Sequence, residues 1–491
     1  VTGVQTCALP ICCHQHGAGR QADGGAVALE EHGLGMLVEI DLDLDRAQIL
    51  GKADAFLECL LDFLVVERVA RRVDQASTIR QRHTAPFVDQ SGQVGRAALH
   101  RGLLALFANH ARVRDELRQM FPDPVDFQKF HFVEDTGFQV LVWKVGQWFQ
   151  YRIKDLIFGQ WVHILTQRGM RKIIRELVRK ENVQLVFEPA PITPMGLSFM
   201  YGLGTPVVIG PLCGGLEFPP AFRYMDSPFS RYAIKIGRIL SNLAHRWAPG
   251  KLQAASLLVA NDRTKDALPH GCRGSVYEVV ESGVDLSICK PIARQQPVSG
   301  EVIRFIFWGR FVDWKGIQFL VRAFRQVAEQ TNAVLELIGD GEMLDSVKTQ
   351  VSELQLGDRV IFHGRLSRGD SIGVIKRCHV FVIPSLRECG GNAILEIMAM
   401  GLPVVATNWA GPANYVTPAC GILVDPDSVQ GFVDGLAGAM LKLAGSPELR
   451  QQMGDAGIER VKEQYFDWES KADRILEICR ATLEGQPKLG L

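Results

Sequence analysis

The sequence predicts an α/β protein with two Rossmann-like lobes, each built on a parallel sheet. Three observations carry this. Short runs of β-branched and apolar residues recur at roughly 20–30-residue intervals between helical stretches, the spacing of successive strand–helix units. The runs are continuously apolar rather than alternating, as expected of strands covered on both faces. A Pro-, Gln- and Ser-rich stretch, Pro291–Gly300, divides them into two sets.

In chain order, Arg112–Met120 reads as an amphipathic helix and Lys129–Val133 as a short strand. Gln139–Leu165 mixes aromatic and charged residues. A helix packing its aromatic face on the core is expected there, with a membrane-surface helix as the alternative. A basic helix at Arg171–Lys180 precedes a strand at Gln184–Phe187 and a Pro-rich loop, EPAPITPMG, at 188–196. A helix near Leu197–Tyr201 follows, then the strand Pro206–Gly210 and the turn Gly210-Pro-Leu-Cys-Gly214-Gly215. Strands at Ser256–Ala260 and Val276–Val280 complete the first set. The second set comprises Val302–Phe307, Val334–Ile338, Val360–Phe362, Val380–Pro384, Pro403–Thr407 and Gly421–Val424. A last amphipathic helix, Phe466–Leu483, has Asp467 as its N-cap.

The chain has 491 residues, with 54 Lys+Arg against 54 Asp+Glu and 47% apolar residues. That length supports two or three cores, and the apolar content excludes wholesale disorder. Balanced charge gives no electrostatic footprint for nucleic acid. No apolar run approaches the ~18–20 residues of a membrane-spanning helix. Eleven cysteines are dispersed without a C-x-x-C pair, which reads as buried thiols in a reducing compartment and predicts a cytoplasmic location.

Residues 1–105 read differently. The first eleven, VTGVQTCALPI, resemble the translation of a sequencing-library adapter. Cys7, Cys12 and Cys13 with His14 and His16 could suggest zinc, and Asp41-Leu-Asp43-Leu-Asp45 a cation, but neither is framed by strand-and-turn pattern. A helix-like patch covers Ala55–Val73. The expectation is that 1–105 is foreign or disordered, with a first lobe at 106–290 lacking its opening strands, so that its sheet has a gap. A second lobe at 301–465 and a C-terminal helix and tail at 466–491, crossing back to the first lobe, follow.

Ligands of open parallel sheets bind beyond the carboxyl ends of the strands. After Val302–Phe307 comes Trp308-Gly309-Arg310-Phe-Val-Asp-Trp-Lys315-Gly316, where two cations five residues apart open a helix and suit a diphosphate; solvated surface cations are the alternative. After Val380–Pro384 comes Ser385-Leu-Arg387-Glu388-Cys-Gly390-Gly391-Asn392 and, further into the helix, Glu396. The glycines allow a close backbone approach before a helix whose free amides favour phosphate. Glu388 and Glu396 could take hydroxyls at two points of an extended ligand. Otherwise Glu388 is a helix-start charge and Glu396 an exposed helical residue. Gly214 and Gly215 could hold a phosphate or acceptor from the first lobe, and Gly339-Asp340-Gly341 could edge a base.

The combination G-R-x4-K-G, S-L-R-E-x7-E and A-M-G-L-P-V-V-A-T resembles the retaining, nucleotide-sugar-dependent glycosyltransferases of family 4, and the resemblance extends over about residues 108–483. It implies the GT-B fold, two lobes facing a cleft. It implies Arg310 and Lys315 on the donor diphosphate, Glu388 on the donor sugar, and Glu396 on the ribose. Gly390, Gly391 and Asn392 would bring amides to the phosphates, and Gly214 and Gly215 would face them from the acceptor lobe. Catalysis would be electrostatic and metal-independent, with anomeric configuration retained and no cofactor beyond the donor substrate. The implied partners are a nucleotide-sugar donor and a sugar or lipid-linked acceptor in polysaccharide or glycolipid assembly, with no nucleic acid; peripheral contact at the inner face of the membrane stays open. Two features depart from the family: its opening strand with a Gly-rich loop is missing, and Glu188 and Pro189 stand where many relatives have His. A sugar-nucleotide epimerase and a non-catalytic nucleotide-sugar-binding protein are the competing readings.

Overall fold

In a computed structural model the described residues are 65–67, 103–108, 130–133, 136–146, 160–180, 183–189, 193–226, 228–292 and 302–485. Among them, seven strands form the first sheet: β1 (Val65–Glu67), β2 (Leu103–Ala108), β3 (Phe130–Val133), β4 (Leu185–Glu188), β5 (Val207–Leu212), β6 (Ser256–Val259) and β7 (Ser275–Glu278). Their order is β3-β2-β1-β4-β5-β6-β7. All neighbours are parallel except β1, which runs antiparallel to both β2 and β4. Helices α1 (Gly137–Gly146), α2 (Gln160–Lys180), α3 (Pro228–Trp247), α4 (Gly250–Gln253) and α5 (Asp262–Asp266) belong to this lobe.

The gap expected in the first sheet is occupied. Val65–Glu67 lies within the stretch set apart in the sequence, and within the patch expected to be helical. Its β-branched pair Val65-Val66 suits a strand, and its register joins Val66 to Leu104 on one side and Val186 on the other. The adapter-like residues, the candidate zinc and Asp-x-Asp ligands and the helix expected at Arg112–Met120 lie outside the described residues.

Two further expectations change. Residues 197–201 are not helical: Ser198 bridges to Pro249, and its carbonyl accepts from the Gly250 amide at 3.2 Å. With Gly196, Gly202 and Gly204 around it, this segment has little helix propensity to oppose those tertiary bonds. Of the aromatic stretch beginning at Gln139, α1 and α2 carry the described parts. Leu141 and Trp161, like the neighbouring Phe138, are exposed rather than packed on the core.

The second sheet has six parallel strands in the order β10-β9-β8-β11-β12-β13: β8 (Ile303–Trp308), β9 (Ala333–Ile338), β10 (Val360–Gly364), β11 (Val380–Ile383), β12 (Val404–Thr407) and β13 (Gly421–Val424). Between and after them run α6 (Ile317–Gln330), α7 (Leu344–Glu353), α8 (Arg368–Ile375), α9 (Asn392–Ala399), α10 (Ala410–Tyr415), α11 (Val429–Ala444), α12 (Pro447–Glu463) and α13 (Trp468–Leu483). The two-residue period of a strand divides β8 between two cores. Phe305 and Phe307 face α6 and α11, whereas Ile306 and Trp308 join the cluster with Ile397 and Met398 of α9. Both faces are therefore dry, which is why the strand sequence is continuously apolar.

Apolar contacts tie the lobes together from both sides. Phe222, in a 3-10 turn at Pro220–Met225, packs edge-on against Phe319 (5.3 Å between centroids) and Phe432 (5.6 Å) of the second lobe. Burying such a ring contributes roughly 1.5–3 kcal/mol. Conversely, Ile478 and Cys479 of α13 pack on Leu185, Val208 and Leu258 of the first sheet. Asp467 caps α13 by accepting from the Ser470 amide at 2.9 Å.

Candidate active site

The loops after β8 and β11 meet at the carboxyl edge of the second sheet. Gly316, left-handed at φ 71°, lies against the Pro384 carbonyl, where any Cβ would collide. The Leu386 amide donates to the Trp314 carbonyl at 2.8 Å. This contact brings together residues far apart in sequence. Lys315 Nζ donates to Glu388 Oε2, and the two side chains are only 19% and 16% exposed. The Glu388 carbonyl accepts from the Gly411 amide at 3.0 Å, which pins the loop to α10.

The other sequence candidates are distributed around this pair. Arg310 is half-exposed and donates to Glu342 rather than pointing at Glu388. Gly391 precedes α9 at φ 116°, a conformation that requires glycine, and Asn392 opens the helix with its Oδ1 buried and without a partner. Gly390 is closely enclosed: a Cβ there would meet Ser282 Oγ, Glu281 Oε1 and Tyr415 Oη. Glu396 is not the exposed helical residue allowed for in the sequence. Its Oε1 accepts from Arg368 Nη2 at 2.9 Å; burial raises its pKa, while Arg368 acts in the opposite direction. Gly339 and Gly341 pack on the Gly309 and Phe311 carbonyls, so this glycine pair lets β9's loop nest on β8's.

On the first lobe, Pro194 packs on the GPLCGG turn. A Cβ on Gly214 would lie 2.6 Å from Pro194 Cδ, and the Gly214 amide donates to Thr264 Oγ1 at 3.2 Å. Gly215, at φ 71°, lines a cavity of about 570 Å³ together with Glu217, Arg238, Ser241, Asn242, Arg263 and other residues of the lobe. The far wall is Trp409, from the loop between β12 and α10, whose Nε1 donates to the Glu217 carbonyl at 2.9 Å. Arg263 donates through Nε to the Gly214 carbonyl at 3.3 Å and keeps a buried Nη2 without a partner. Its remaining donors are therefore available to an oxygen-bearing ligand.

Glu188, at the end of β4, is fully buried. Its carboxylate accepts from Ser198 Oγ at 2.5 Å and Gln167 Nε2 at 2.8 Å, and burial pushes its pKa up to about 7. Lys251 is equally buried and donates to the Thr193 (2.6 Å) and Pro194 (3.1 Å) carbonyls, with burial lowering its pKa to about 7. Lys251 thus holds the end of the Pro-rich loop from beneath, at Thr193 and Pro194.

Sequence reasoning missed Glu281, Arg368, Arg263 and Trp409. Glu281 sits at the seam between the lobes, its carboxyl buried beside Gly390. Burial raises its pKa, aided by the nearby Glu388 and opposed by Lys471. None of the four lies in a glycine-rich strand end, the signal that located the others. Among the described residues, no cluster of three or more His, Cys, Asp or Glu suits a metal ion, and no helix is long and apolar enough to cross a membrane.

Residues 290–460 match the family model described as Glycosyl transferases group 1. The chain is 33% identical over 171 residues to the lipopolysaccharide core biosynthesis glycosyltransferase LpsE of Rhizobium meliloti, covering 35% of this chain and 47% of LpsE. It is 29% identical over 180 residues to a GDP-mannose-dependent monoacylated alpha-(1-6)-phosphatidylinositol monomannoside mannosyltransferase of Corynebacterium glutamicum, covering 35% and 45%. The chain thus spans about half the length of the curated relatives it matches. Its fold is similar to a glycosyltransferase of Rickettsia africae (TM-score 0.52, 16% identity, 81% of this chain and 97% of that one). It is also similar to Anabaena Alr3699/HepE in complex with UDP (TM-score 0.51, 16% identity, 82% and 98%). Two parallel-strand sheets with these neighbours make the fold α/β of the GT-B type, and residues 290–460 form a Glycosyl transferases group 1 domain within it.

Proposed function

We propose that the protein transfers a sugar from a nucleoside-diphosphate donor to an acceptor held by the first lobe, with retention and without a metal, in the assembly of a polysaccharide or glycolipid. The observation that carries this is the Lys315–Glu388 pair, formed where the β8 and β11 loops join. Lys315 offers a partly desolvated positive charge to the leaving diphosphate, where charge develops as the glycosidic bond breaks. Arg310, five residues earlier on the same loop, adds a second cation by exchanging Glu342 for phosphate. Glu388 contacts the donor sugar once Lys315 turns to the diphosphate. Asn392 and the amides at Gly390 and Gly391 meet the phosphates at the start of α9. Glu396, steadied by Arg368, takes the ribose hydroxyls.

The 570 Å³ cavity beside Gly215 takes the acceptor. Its Arg263 donors, Asn242 and Ser241 suit hydroxyl-rich ligands, and Trp409 supplies an aromatic wall. LpsE's name places it in lipopolysaccharide core synthesis, and the Anabaena structure contains UDP; both agree in kind with a nucleotide-sugar donor and a glycan acceptor.

The test is turnover of isotope-labelled nucleotide sugars by the full chain and by Glu388→Gln. Label should pass to an acceptor or to water with the wild type and fall by at least about a hundredfold in the variant, the scale of removing one electrostatic contact from a transition state. Interconversion of the free sugar nucleotide would establish an epimerase instead. Binding without turnover would establish a non-catalytic protein.

A further inference from the structure

Burying a lysine completely is costly unless its ammonium group finds hydrogen bonds and a counter-charge. Lys251 is buried in this way, and its neighbour Gly250 puts it there. A Cβ on Gly250 would collide with Ser198, so glycine lets α4 begin against that residue. From this point Lys251 Nζ reaches the Thr193 and Pro194 carbonyls at 2.6 and 3.1 Å. The acidic group acting on it is Glu188, which is itself held by Ser198 and Gln167. An apolar side chain of similar length would fill the space at lower cost, but it would leave both carbonyls without this donor.

The loop above it needs donors from outside. Pro189, Pro191 and Pro194 carry no N–H, so the segment is poorly equipped to pair with itself as a helix or strand does. Side chains hold its last carbonyls instead: Lys251 takes those of Thr193 and Pro194, and Ser241 Oγ donates to that of Met195 at 3.0 Å. The residues so held are walls of the 570 Å³ cavity. Met195 lines it directly, and Pro194 packs on Gly214, next to the lining residue Gly215. Lys251 is not itself among the lining residues. We propose that Lys251 is a positioning residue for the acceptor side, setting the wall made by Met195 and the Gly214-Gly215 turn, and through it the affinity for acceptor, without touching either substrate. The proposal rests on the transfer reading for the acceptor, whereas the placement of the wall is tested without turnover.

Two variants separate the donor from the volume it fills. Lys251→Met keeps an unbranched chain and loses the N–H groups; Lys251→Gln keeps two of them and serves equally should the methionine variant not fold. Hydrogen exchange of the full chain, followed by mass spectrometry, is the first measurement. Amides of 195–198 and 213–215 should exchange about tenfold faster or more in Lys251→Met, the factor for one charge-assisted hydrogen bond. Those of β8, β9 and β11 should keep their wild-type rates, and Lys251→Gln should fall between the two. The second measurement uses the acceptor that takes label in the turnover test. Its KM should rise about tenfold in Lys251→Met and less in Lys251→Gln, while the KM of the nucleotide sugar stays within about twofold. Acceleration spread evenly over the chain, wild-type exchange in Lys251→Met, or a loosened wall with an unchanged acceptor KM would overturn the proposal. Local acceleration in a chain that transfers no sugar would sink the transfer reading and leave the wall assignment standing.

Discussion

Lys315→Ala separates a phosphate-binding lysine from one that merely neutralises Glu388. With the two side chains 19% and 16% exposed, the pair lies between a solvent-exposed ion pair, worth about 0–1 kcal/mol, and a fully buried one, whose rupture costs about 3–5 kcal/mol. Losing Lys315 should therefore destabilise the fold by roughly 2 kcal/mol, read as a lower urea midpoint at unchanged slope. Ligand binding carries a second, independent signal. A charge-assisted hydrogen bond is worth about 1.5–3 kcal/mol, so the Kd of a nucleoside diphosphate should rise roughly tenfold to a hundredfold, while that of the parent nucleoside stays within about twofold. Calorimetric titration of both ligands, for wild type, Lys315→Ala, Glu388→Ala and the double variant, gives a complete cycle. Removing Glu388 as well abolishes its repulsion of the diphosphate but not the missing cation, so the double variant should recover only part of the loss. Full recovery would mean that Lys315 acts on Glu388 alone, and equal losses for diphosphate and nucleoside would mean that it touches no phosphate.

Two further outcomes follow from the buried charges. Arg368→Gln leaves the Glu396 carboxylate with no cation in place of the bond at 2.9 Å; unfolding at pH 7 should become easier by roughly 2–4 kcal/mol, and the loss should shrink on acidification as Glu396 takes up a proton, so a pH-independent loss would contradict this account. His245, fully buried in α3 with its pKa lowered to about 4 by burial and by Lys251, stays neutral in the native state while the unfolded chain protonates near pH 6.5. Its contribution is complete above about pH 6.5 and is lost as pH falls toward 4, about 2 kcal/mol of it by pH 5; the wild-type fall in urea midpoint between pH 7 and 5 should be smaller in His245→Gln, and an identical fall would exclude the histidine as its source.

The parts of this molecule legible in its sequence are those fixed by local rules. Strands buried on both faces must be continuously apolar, so β8, β11 and β12 stand out. Gly316 and Gly391 mark positions where φ is positive and a side chain would be strained. The short strand β1 was not legible, because three residues carry no periodicity of their own and its place is set by the open edges of β2 and β4. Glu396 offered a different difficulty. A helix surface facing Arg368 looks, in sequence, like one facing water, and the arginine lies in a polar stretch after β10 that has no glycine-rich turn. The meeting of Lys315 with Glu388 spans 73 residues; each loop was recognisable by itself, and only the parallel pairing of β8 with β11 brings their ends together.

That dependence on pairing extends to the seam between the lobes. Lys471, on the returning helix α13, donates to the Ser282 carbonyl, and Ser282 and Glu281 fill the space that a side chain on Gly390 would need. Opposite them, Trp409 reaches from the second lobe to the Glu217 carbonyl and walls the first lobe's cavity. A shift of one lobe against the other would therefore open the cavity at Trp409 and uncover Gly390 together. The loop that carries Glu388 and the first-lobe cavity thus both border the contacts that join the lobes. Glu281 lies at the same seam, its pKa raised first by burial, with Glu388 adding to the rise and Lys471 opposing it.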